Sequence, residues 1–91
     1  MSINNWNESS TLSDAGYTAD GSQSSVQRAV RIERAINGDL DKAIQVMNHL
    51  KWLIADRGDR MPFARIIWRV DFDYVIRKIN SGAYKIRQTK P

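Results

Sequence analysis

From Val26 to Ile54 the apolar residues recur every three or four positions, and the repeat is broken once, at Asn37-Gly38-Asp39. That period belongs to helices with one buried face, and Asn-Gly followed by Asp suits the end of one helix and the cap of the next. The chain is thereby committed to a pair of amphipathic helices that bury their faces against each other and against a third element. Ser24 or Ser25 is expected to cap the first, "SVQRAVRIERAIN", with Val26, Ala29, Val30, Ile32 and Ile36 on its apolar side. Arg28, Arg31 and Arg34 then line the opposite side. Asp39 is expected to cap the second, whose Leu40, Ala43, Ile44, Val46, Met47, Leu50, Leu53 and Ile54 make the wide apolar face of a central bundle helix, with Gly58 as its C′ residue.

The next segment, "DRMPFARIIWRVDFDYVIRKIN", carries two periods at once. Pro62 suits a first helical turn. Trp68, Val70, Phe72 and Tyr74 alternate with charged residues as a strand would, whereas on a helical wheel Ala64, Trp68, Val75 and Ile79 make one apolar sector. Phe63, Ile67, Val70 and Tyr74 make a second, so a single helix here would be apolar on two sides. Two short helices with a break near Val70-Asp71 reconcile the sectors, and are expected ahead of one long helix or a strand. Gly82 is expected to end the last helix, and "AYKIRQ" reads as a short strand with Tyr84 and Ile86 inward and Lys85 and Arg87 outward. "DRMPF" is its expected partner, giving a two-stranded β ribbon beside three to four short helices: a mainly α fold.

Ahead of this domain, residues 1–24 are rich in Ser, Asn, Asp, Gly and Thr and lack any period, so they are expected to be a disordered, flexible polar arm before a single basic domain over 25–91. Charge follows the same division. The arm holds Glu8, Asp14 and Asp20 and no cation, while the rest holds all 14 cations against seven carboxylates. From Tyr74 onward there are Arg77, Lys78, Lys85, Arg87 and Lys90 and no acid, a footprint suited to phosphates or an acidic surface. With no cysteine, a disulfide scaffold and a thiolate metal site are excluded; with no apolar N-terminal run or long apolar stretch, the expectation is a cytoplasmic protein without a membrane role. One histidine, His49, and no glycine-rich phosphate loop argue against an enzyme, a metal site, a cofactor or a small-molecule substrate. Trp52, on the polar side of the second helix, marks either a packing edge or a contact surface, and Trp6 in the arm is a second candidate for protein interaction.

The ending "VIRKINSGAYKI" resembles the last helix and wing strand of winged helix-turn-helix domains in small phage and plasmid regulators, a resemblance spanning residues 40–88. The usual turn glycine is replaced by Val70-Asp71, and Asp71 and Asp73 put negative charge near the start of the would-be recognition helix. The resemblance implies a DNA-binding transcription regulator, with DNA preferred over RNA, whose helix 71–80 approaches the major groove. Arg69, Arg77 and Lys78 would serve that helix, Lys85, Arg87 and Lys90 the wing and tail, and Arg28, Arg31 and Arg34 the backbone. The competing expectation is a non-enzymatic protein-interaction or assembly module, an oligomeric structural component or an inhibitor docking on another protein, suggested by the polar arm, Trp52 on an outer face and a helix apolar on two sides.

Overall fold

The computed structural model describes residues 11–86, and Trp6, Arg87 and Lys90 lie outside them. Four helices follow in order: α1 (Thr11–Asp14), α2 (Ser25–Ile36), α3 (Leu40–Arg57) and α4 (Pro62–Asn80). Ser24 caps α2 through a full capping box with Gln27, each side chain accepting from the other residue's backbone N–H. Asn37 closes α2 in the left-handed conformation, and Asp39 caps α3 by accepting from the Asp41 N–H. α3 packs most extensively on α4, with α2 across both. Ile32, Ile36, Ala43, Val46, Leu50 and Val75 form the centre of the core, and Trp68 and Tyr84 close its sides. No helix among the described residues is long and apolar enough to cross a membrane.

Four expectations are corrected. First, α4 runs unbroken from Pro62 to Asn80, so there are not two short helices and no turn at Val70-Asp71. No break is needed to accommodate the two apolar sectors: the helix buries one of them, around Ala64, Trp68 and Val75, and leaves the other partly in solvent.

Second, the two-stranded ribbon is not present among the described residues. Tyr84 lies in a bend, and the ladder contact of the closing segment is an isolated parallel bridge between Lys85 and Asp39. The Lys85 N–H donates to the Gly38 carbonyl and the Leu40 N–H donates to the Lys85 carbonyl. The segment thus fastens to the α2–α3 turn and not to "DRMPF", because Gly82, at φ +79°, turns the chain back over the bundle. Tyr84 is buried as expected of an inward residue, while Ile86 is 64% exposed.

Third, residues 11–24 are not a disordered arm. Leu12, Ala15 and Tyr17 enter the main core, which a search for periodicity misses because α1 has only four residues. Polar groups fasten the rest. The Gln23 side chain donates to the Gly16 carbonyl and accepts from the Thr18 N–H, and Asp20 accepts from the backbone and hydroxyl of Ser22.

Fourth, Gly58 ends α3 in the ordinary right-handed region, and what it provides is space. A Cβ there would lie 2.4 Å from the Ile54 carbonyl oxygen and 2.7 Å from the Arg65 side chain, so the absence of a side chain is what lets α4 begin so close to the end of α3.

These burial differences reverse the expected roles of the closing segment. Tyr84→Ala is expected to lower the unfolding free energy by about 3 to 5 kcal/mol, as for other large buried aromatics. Ile86→Ala should stay within about 0.5 kcal/mol of the parent in the same urea titration.

Candidate protein-docking surface

α2 and α4 run side by side in the same sense, since Arg28 meets Asp71 and, further along both helices, Glu33 meets Tyr74 and Lys78. The first of these contacts is buried. Asp71 is 3% exposed; it accepts from Arg28 Nε at 2.7 Å and Nη2 at 3.1 Å, and from the Tyr17 hydroxyl at 2.7 Å. Arg28 spends a further N–H on the Gln23 carbonyl. Burial, and then the Asp71 charge, push the Tyr17 phenol far above its usual range, so it remains a neutral donor. The hydrogen bond to Asp71 holds the Arg28 guanidinium charged still more firmly.

The second contact is half-buried. The Glu33 carboxylate accepts from Lys78 Nζ and the Tyr84 hydroxyl, each at 2.8 Å, and from the Tyr74 hydroxyl. Burial alone would push this carboxyl up, but the hydrogen bonds from Lys78, Tyr74 and Tyr84 outweigh it and hold the group below the usual range. Lys78 Nζ also stands 5.3 Å and 5.5 Å from the ring centres of Tyr74 and Tyr84.

These networks decide how α2 is turned. Its buried residues are Arg28, Ile32, Ala35 and Ile36. With Arg28 drawn inward to Asp71, Val26 and Val30 are turned out of the core face expected for them and into solvent. On α4, Phe63, Ile66, Ile67 and Val70 share one flank of the helix. Val26, Val30, Phe63, Ile66 and Val70 are 49 to 71% exposed, and Ile67 is half-buried among them. The Phe63 ring leans on Gly21, where a Cβ would come within 3.1 Å of it, so the loop before α2 walls one end. Apolar side chains on both helices are thus left in solvent, on either side of the buried Arg28–Asp71 pair that joins α2 to α4.

The cations expected to meet phosphates are scattered by the same packing. Arg28 is buried in its pair with Asp71, and Lys78 is spent on Glu33. Arg31 lies half-buried against Gly16, and Arg34 reaches back to the Ala15 carbonyl. Arg69, Arg77 and Lys85 are exposed, but Asp73 stands one turn from both Arg69 and Arg77 on α4. Trp52 is half-buried on α3, with the Arg57 guanidinium 5.1 Å from its ring centre and the His49 ring stacked beside it. It borders a groove of about 550 Å³ with Gln45, Asn48, Lys51 and Ala55. Among the described residues no group of three His, Cys, Asp or Glu side chains is placed to hold a metal ion.

No family model, no curated protein and no solved structure matches the chain.

Because its folded-state acidity is raised in strength by its three donors, Glu33 contributes stability that is present above its ordinary value of 4.5 and is lost as pH falls below it. Urea unfolding of the parent should weaken over that acid window, and Glu33→Gln should flatten the dependence. Equal slopes for the two proteins would show that the Glu33 cluster does not favour the carboxylate.

Proposed function

We propose that this chain is a non-enzymatic protein-interaction module that engages a helical segment of another polypeptide along an apolar seam between α2 and α4. One observation carries the reading: five large apolar side chains on two adjacent helices stand open to solvent in a chain this small. Contiguous apolar surface of this kind is uncommon on monomers and marks sites of association. The seam's residues fall at helical spacing on both walls, which suits an amphipathic helix laid between them. Burying them would draw on the same hydrophobic gain that stabilises the core, roughly 25 cal/mol per Å² of apolar surface.

Phosphate binding is less well supported than docking. Of the seven cations proposed for it that fall among the described residues, two are committed to carboxylates within the fold and two more lie over the segment 15–16. The exposed remainder are Arg69, Arg77 and Lys85; Arg69 lines a groove with Lys51, Ile54 and Ala55 of α3, and exposed cations of this kind suit the rim of a protein interface as readily as a nucleic-acid backbone.

Two probes separate the readings by backbone NMR. A synthetic amphipathic helix with leucines along one face should shift the resonances of Val26, Val30, Ile66 and Val70 saturably, and Val70→Glu should abolish this. Random-sequence duplex DNA should give only weak, non-saturating shifts. Saturable DNA shifts centred on Arg69, Arg77 and Lys85 that fade with added salt, with the seam unmoved by the peptide, would overturn the docking reading.

A further inference from the structure

We propose that the occupant of the seam is a second copy of this chain, with the two α4 helices packed antiparallel about a two-fold axis that passes between Ile66 and Ile67. The inference rests on the docking reading and specifies its partner. It comes from the order of residues along the exposed flank of α4. Phe63, Ile66, Ile67 and Val70 are disposed symmetrically about the midpoint of the Ile66–Ile67 pair. An antiparallel copy therefore sets Ile66 against the copy's Ile67 and Phe63 against the copy's Val70. Every apolar position meets an apolar one, and the largest meets the smallest.

Charge selects the same register. Asp73 lies one turn beyond Val70, and in this arrangement it comes to the level of the copy's Arg60, which is exposed in the turn before α4 and stands 4.0 Å from Asp56 of its own chain. The two-fold axis repeats that opposition at the other end. Moving the axis one turn toward the C-terminus, to Val70, would instead set Phe63 against Arg77. A parallel pair would set Asp73 against Asp73 and Arg77 against Arg77. Val26 and Val30 then form the side wall of each copy's seam, next to the incoming helix. Each chain carries a formal charge of +4, so long-range repulsion opposes this contact and added salt should strengthen it. A phosphate ligand or an acidic helix would show the opposite salt response.

The test uses the full chain, which contains no cysteine, so that single cysteines report position without interference. Sedimentation equilibrium should show a monomer–dimer equilibrium that tightens between low and high salt, and Val70→Glu should remain monomeric with unchanged helical circular dichroism. Under mild oxidation Ile66→Cys, beside the axis, should cross-link to itself. Phe63→Cys and Val70→Cys should each stay largely monomeric alone but form a covalent dimer when mixed. Self-linking of Phe63→Cys or Val70→Cys at the level seen for Ile66→Cys would overturn the antiparallel arrangement. Dimerisation of Val70→Glu as strong as the parent's would overturn the seam as the contact. A parent that stays monomeric at every concentration, yet still binds the amphipathic peptide along the seam, would overturn the second copy as occupant and leave the docking reading standing; loss of both signals would remove both.

Discussion

The Asp71 carboxylate is the point on which three parts of the chain converge. It stands on the inner side of α4, takes two hydrogen bonds from Arg28 of α2 and one from Tyr17 of the N-terminal segment, and is almost sealed from water. A buried charge of this kind is tolerable only when fully paired, and removing one partner leaves the other stranded. Such a pair therefore contributes less through net attraction than by excluding other arrangements. α2 is permitted one rotation, the one that delivers Arg28 inward, and the segment 11–23 is permitted one path, the one that delivers Tyr17. The exposure of Val26 and Val30 is a consequence of that rotation.

Seen this way, the interior and the outer seam have one cause. An α2 that followed its hydrophobic pattern alone would turn Val26 and Val30 toward the core and Arg28 to solvent. The Arg28–Asp71 pair shifts the helix about its axis and moves apolar surface outward, into solvent. The Glu33 cluster repeats the link further along the same two helices, and through Tyr84 ties the closing segment to both. Two polar bridges fix α2 against α4 beneath these exposed side chains, and for the docking proposed above, helices held in place before binding lower the ordering cost of association.

The helical hairpin α2–α3 was legible from its period and caps: Ser24, Asn37-Gly38 and Asp39 all act as their chemistry requires. Elements that depend on distant partners were not. Arg28 sits among arginines spaced for a solvated face, and only the meeting with Asp71, 43 residues away, makes it a core residue. Tyr17 is surrounded by serines, threonine and aspartate, so its burial leaves no local pattern. The second apolar sector of α4 was visible as such, in Phe63, Ile67 and Val70, and an unbroken helix apolar on two sides is the arrangement found; the strand-like alternation around Trp68 and Phe72 arises because a helix flanked by α2, α3 and the core meets apolar surroundings in several directions. In the closing segment the inward Tyr84 was legible, but the expected strand was not found among the described residues: Lys85 makes a single bridge to Asp39, which carries no sequence signature.

If the convergence on Asp71 organises the molecule, its removal should be felt beyond α4. The most direct measurement is the unfolding free energy of Asp71→Ala combined with native-state hydrogen exchange at residues 11–24. Loss of the carboxylate leaves Arg28 buried without its counter-charge, and the expected cost is about 3 to 5 kcal/mol, with the amides of Gly16, Tyr17 and Thr18 losing protection ahead of α3. An Asp71→Ala protein within about 0.5 kcal/mol of the parent, with exchange unchanged over 11–24, would contradict the account.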